Sequence, residues 1–95
     1  MLVRVRIPTQ LRNLAGGASS VDVVVDSTPV TVCSVFDSLA TTHPALERRV
    51  RDETGRMRIH VNLFVDGDNI RDLDGVETTI GDGSDVSIIP AISGG

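Results

Sequence analysis

"PVTVCSVFDSLA" (residues 29–40) sets apolar side chains at Val32, Val35, Phe36, Leu39 and Ala40. These are the i, i+3, i+4, i+7 and i+8 positions of one helix face. The spacing predicts an amphipathic helix that must bury its stripe against another element. Pro29 precedes it, and Thr31 stands where an N-cap hydroxyl belongs. Pro44 stops or restarts the helix, and "PALERRVRD" (44–52) reads as a short second helical turn carrying Arg48, Arg49 and Arg51.

The partner surface is supplied by the segments on either side. "LVRVRI" (2–7) alternates, with Val3, Val5 and Ile7 on one face and Arg4 and Arg6 on the other, a half-buried strand ended by Pro8. "NLAGGASS" (13–20) reads as a hairpin turn through Gly16 and Gly17, and "VDVVVD" (21–26) as the returning strand. After the helix, "RIHVNLFVDG" (58–67) places Ile59, Val61, Leu63 and Val65 on one face of a third strand. Ile70 begins a short edge segment, and "GDG" (81–83) turns the chain into the last strand, "DVSIIP" (85–90). Strand, strand, helix, strand, short strand, strand, with a right-handed crossover, predicts an α+β domain of the β-grasp, ubiquitin-like type. Its mixed sheet of four to five strands packs on one main helix. The core is expected to join Val5, Ile7, Val23, Val32, Phe36, Leu39, Val61, Leu63, Val86 and Ile88. Pro90 cannot donate to a ladder and marks where the last strand leaves the sheet. Residues 1–90 are thus expected to form the domain and 91–95 a flexible tail, about 17 Å long if extended.

Ninety-five residues support one modest core. With two Phe and no Trp or Tyr, that core must be aliphatic. A net charge of −4 disfavours nucleic acid or an anionic membrane as partner. A single Cys fits a reducing, cytoplasmic compartment, and "MLVRVRIP" (1–8) lacks the unbroken apolar run of a signal peptide. All nine basic residues are Arg. A chain with no Lys has no ε-amine that an activated carboxyl end could acylate, although a compositional bias explains the same fact.

No catalytic or metal site is legible. His43, His60 and Cys33 have no zinc-ligand spacing. Cys33 lies beside the helix stripe and reads as a small buried hydrophobe. "DGDNIRDLDG" (66–75) resembles a calcium loop, but Ile70 and Arg71 stand where ligands are needed, so turn chemistry accounts for its Asp residues. The arginines of 48–58 are interleaved with Asp52 and Glu53, which favours a solvated face over a docking patch.

The pair Gly94–Gly95 remains. A carboxylate is a poor electrophile, and acyl chemistry on it requires activation, normally as an acyl-adenylate. An activating enzyme must enclose that terminus in a narrow, water-poor channel, or the mixed anhydride hydrolyses. Only Gly-Gly threads such a channel without Cβ clashes and takes whatever φ the site demands.

"DGSDVSIIPAISGG" (82–95) resembles the terminal pattern of ubiquitin-like sulfur carriers: an acidic turn, a strand with Pro, then small residues ending in Gly-Gly. That family includes the thiamine carrier, the small subunit of molybdopterin synthase and the actinobacterial cysteine-biosynthesis carrier. "VRIPTQLRNLAGG" (5–17) and "VNLFVDGDNIRDLDG" (61–75) look most like the cysteine branch. "IPAI" (89–92) departs from the aromatic-proline tail of the molybdopterin branch. The resemblance implies that the chain is a cosubstrate and not an enzyme. The Gly95 carboxylate would be adenylated with ATP by a ubiquitin-activating-type adenylyltransferase/sulfurtransferase and converted to a thiocarboxylate, with no maturation cleavage. Gly94, Ser93 and Ile92 would thread the partner's channel. In the cysteine branch a pyridoxal-phosphate cysteine synthase receives the sulfur on an activated serine. An S-to-N shift then leaves cysteine amide-linked to Gly95, and a zinc metalloprotease releases it. ATP, pyridoxal phosphate and zinc would all belong to partners. The small subunit of molybdopterin synthase, a protein modifier and a plain interaction module stay open as alternatives.

Period-2 alternation gives the docking expectation. If Leu63 and Ile88 point inward, Phe64 and Ile89 point outward on adjoining strands and, with Pro90, form an apolar patch.

Overall fold

The computed structural model describes residues 1–90. Five strands form one mixed sheet: β1 (Leu2–Arg6), β2 (Ser20–Val24), β3 (Val61–Val65), β4 (Asp68–Asn69) and β5 (Asp85–Pro90), in the spatial order β2-β1-β5-β3-β4. β1 and β5 run parallel, and the other neighbours are antiparallel. Helix α1 (Val32–Thr42) lies on one face, followed by α2 (Pro44–Val50). This is the β-grasp arrangement.

Thr31 caps α1 reciprocally. Its hydroxyl accepts from the Ser34 amide at 3.2 Å, and the Ser34 hydroxyl accepts from the Thr31 amide at 2.8 Å. Two donors that the first turn would otherwise leave unpaired are thereby satisfied. Val32, Val35, Phe36 and Leu39 are buried against the sheet, and Ala40 is half-buried. All ten residues expected in the core are buried, joined by Leu46 and Val50 from α2 and by Ile70 and Ile80. Pro44 opens α2, where its missing amide and fixed φ are no cost.

Three local expectations are corrected. Between β1 and β2 the chain makes a 3-10 helix, Thr9–Ala15, before Gly16 turns it at φ 65°. That helix packs Leu11 and Ala15 into the core, where a bare hairpin turn would leave its end open. β3 starts at Val61, and Ile59 is 79% exposed, because the chain is still turning at residues 59 and 60 and the alternation has not begun. Ile70 does not start the edge strand. β4 precedes it, and Ile70 opens a 3-10 turn (Ile70–Asp72) with its side chain in the core.

Candidate functional site

The face of the sheet turned away from α1 carries the outward positions of every strand. Pairing in register sets Asn62 opposite Ile89 and Phe64 opposite Ser87. Phe64 and Ile89 are therefore diagonal neighbours, a relation that leaves about 7–8 Å between them. Ile89 is 46% exposed and Phe64 is half-buried, while Leu63 and Ile88 are buried on the opposite face. The alternation puts the two apolar residues where it was expected to.

Polar groups frame this patch. On the β1 side, Arg6 Nε donates to Asp85 Oδ1 at 2.8 Å and Arg4 Nε to Asp22 Oδ1 at 3.3 Å. On the β4 side, Asn62 Oδ1 accepts from Asn69 Nδ2 at 3.4 Å and from Arg71 Nε at 3.3 Å. Arg71 also donates to the carbonyls of Arg58 and Val61, fixing the entry to β3. The patch is a small apolar island with a hydrogen-bonded rim.

Pro90 closes β5 opposite Val61 and is half-buried. It lines two grooves, one with Leu11, Arg49, Met57 and Ile59, the other with Pro8, Arg12 and Ile89. Gly95, Gly94, Ser93 and Ile92, the expected attachment point and channel residues, lie outside the described residues. Pro90 is the last described residue before them, next to Ile89 of the patch.

Elsewhere the structure corrects two readings. Cys33 is half-exposed, with its Sγ 3.7 Å from Asp37 Oδ2 and 3.7 Å from Arg51 Nη1. Burial, joined by the Asp37 carboxylate, pushes its thiol up against the opposing pull of Arg51, so it is held protonated rather than activated. Arg51 is 5% exposed and does not belong to a solvated arginine face. Its guanidinium pairs with Glu47 and, at 2.9 Å, with Asp37, and it lies 5.9 Å from the Phe36 ring centroid. The i, i+4 spacing of Glu47 and Arg51 was the available signal for this pairing. Among the described residues no group of three or more His, Cys, Asp or Glu is placed to hold a metal ion, and no helix is long and apolar enough to cross a membrane.

With this geometry in place, likeness to known proteins is informative. Residues 5–95 match the ThiS family. Sulfur carrier protein CysO of Mycobacterium tuberculosis is 35% identical over 97 residues, covering 100% of both chains. The crystal structure of that organism's CysO superposes with a TM-score of 0.80 at 33% identity, covering 95% of this chain and 99% of the other. A chain in the crystal structure of the BexX/CysO complex of Amycolatopsis orientalis gives 0.83 at 31% identity, covering 98% of this chain and 99% of that one.

Proposed function

The chain belongs to the ThiS family, and from that premise we propose that it is a sulfur carrier protein serving cysteine biosynthesis in the cytoplasm. It acts as a protein cosubstrate. The Gly95 carboxylate attacks the α-phosphate of ATP in an activating enzyme of the adenylyltransferase/sulfurtransferase type, and pyrophosphate leaves. Sulfur at the sulfide level then adds to the acyl carbon and AMP leaves, giving a thiocarboxylate. A pyridoxal-phosphate cysteine synthase takes that sulfur, and a zinc metalloprotease releases the product. ATP, pyridoxal phosphate and zinc are held by those partners.

What carries the reading is full-length likeness to CysO in both sequence and fold. The chemistry asks little of the domain. It asks for a rigid body, a face that partners grip, and a strand that launches a narrow terminus from beside that face. Phe64, Ile89 and Pro90 supply the grip, and Ile92, Ser93, Gly94 and Gly95 supply the reach.

The test is thiocarboxylate formation with ATP, the activating enzyme and a sulfide source, read by intact mass as replacement of oxygen by sulfur. Deleting Gly95 draws the carboxylate back by about 3.5 Å. Misplacement of even ~1 Å can cost about a hundredfold in rate. Gly94→Val puts a branched side chain into the channel. Neither variant should be loaded, and both should melt within about a degree or two of the parent. Loading of the Gly95 deletion at the parent rate, or recovery of the chain only as isopeptide conjugates, overturns the reading.

A further inference from the structure

Carboxylates outnumber arginines at one end of this domain's sheet. Where β5 begins, Asp66, Asp68, Asp82 and Asp85 lie in or beside two turns that are bonded to each other, the Asp85 amide donating to Asp66 Oδ1 at 2.8 Å, and Arg6 pairs with Asp85 there. Where β5 ends, Arg49, Arg58 and His60 stand around the shallow apolar groove of Leu11, Met57, Ile59 and Pro90. The two ends are about 17 Å apart, five strand steps. A chain of net charge −4 therefore presents a basic end, and that end is the one from which residues 91–95 depart.

The fold uses one part of this arrangement, Arg58 Nε donating to the Arg48 carbonyl of α2 at 2.7 Å, and leaves the rest open. Ile59 is 79% exposed, a large apolar side chain outside the core. Neither Arg49 nor Arg58 has a carboxylate within ion-pair distance among the described residues. The one acidic residue on the groove, Asp52, is already committed. The hydroxyl and amide of Thr54 and the amide of Arg56 donate to it, and its carboxyl is held below the usual range chiefly by the Thr54 hydroxyl, with the charge of Arg58 a smaller contribution.

We infer that this groove is a second contact surface, engaged by the acidic rim of the channel that receives the tail. The inference rests on the carrier reading and names the chemistry of the partner's mouth. A partner that takes in residues 91–95 must bring the entrance of its channel against Pro90, so the entrance covers the groove. Carboxylates there meet Arg49 and Arg58, and an apolar residue between them covers Ile59. The acidic far end of the domain is repelled by the same rim, so the carrier arrives tail-first. Such a field raises the rate of encounter more than the strength of the final complex. Two other occupants fit less well. Ordering five residues of the chain's own tail, two of them Gly, costs more than one exposed ion pair returns. A second copy related by a two-fold axis would set arginine against arginine.

The experiment is stopped-flow association of the full chain with its activating enzyme across ionic strengths of about 0.05–0.5 M, a range over which screening becomes nearly complete. The parent's association rate should fall steeply with salt. Arg49→Glu with Arg58→Glu should lower it at least tenfold at low salt and flatten the salt dependence. Ile59→Ser should raise the dissociation rate. Arg49→Glu alone, on an exposed helical position, guards against misfolding of the double variant and should give an intermediate effect. A salt-independent parent, or an unchanged rate in the double variant, overturns the inference and leaves the carrier reading intact. Salt-steered binding without loading supports the surface and sinks the carrier reading, whereas no binding at all sinks both. Resonances of Met57 and Ile59 in the free protein should not respond to removal of residues 91–95 or to concentration. A response to the first assigns the groove to the tail, a response to the second to another copy, and either overturns the proposal.

Discussion

Arg51 brings a full charge to the seam between the two helices, where its side chain is 6% exposed and that of Glu47 10%. Two buried charges of opposite sign balance, but one alone does not. Arg51→Ala should strand Glu47 and destabilise the domain by about 3–5 kcal/mol, measured by urea unfolding. Arg51→Met combined with Glu47→Leu should recover most of that loss, since it removes both charges and keeps the volume. Cys33 shares this cluster, and its raised thiol pKa has a sign that can be checked. At pH 8 the native protein should react with iodoacetamide several times more slowly than the unfolded chain. Asp37→Asn removes a carboxylate that opposes the thiolate, so it should speed the reaction while leaving the unfolded rate unchanged. The i, i+4 spacing hinted at the pair with Glu47, but the burial of Arg51 and the exposure of Cys33 were not legible beforehand. Composition around Arg51 is that of a charged surface, and its second partner, Asp37, lies fourteen positions away, within reach only because α1 packs on α2. Ile59 erred in the opposite direction, because an alternating pattern does not reveal where a strand begins.

At the scale of elements, local chemistry carried much further. The stripe of α1, its Thr31 cap, the Pro44 restart and the alternation of β1 and β5 are each short-range statements about one segment, and each is found in the fold. The cap can be tested on its own. Thr31→Ala removes one half of the reciprocal pair with Ser34 and should cost about 1 kcal/mol, seen as a lowered denaturant midpoint with an unchanged slope. The 3-10 helix at Thr9–Ala15 was missed because it has no periodicity of its own. Its place is set by Leu11 and Ala15 fitting beneath α2, a contact between elements and not a property of either.

For the molecule as a whole, the candidate site divides along the same line. Phe64 and Ile89 could be assigned to the outer face because register in a sheet with one covered face fixes every side chain by parity. The basic end could be named only as a run of arginines, since Arg49 and Arg58 come from separate segments and line one groove with Leu11 and Pro90 only in the folded chain. The patch yields a prediction of its own. Ile89→Ala or Phe64→Ala should weaken binding to the activating enzyme about tenfold or more in a calorimetric titration. Ile89→Ala, the more exposed site, should do so with little loss of stability.

The strand that leads to the tail is also the middle one. β5 lies between β1 and β3, joins the two halves of the sheet, and is the last of the five strands in chain order. As a nascent chain emerges from the ribosome N-terminus first, β1 with β2, and β3 with β4, appear as two separate ribbons with nothing to bridge them. Until residues 85–90 are free, the helix has only part of its floor, and the domain cannot close. A chain broken off before that point lacks both the keystone and the tail, so it never becomes a well-folded decoy that occupies a partner without anything to deliver. The order of manufacture, written into the strand order, thus acts as an inspection for completeness.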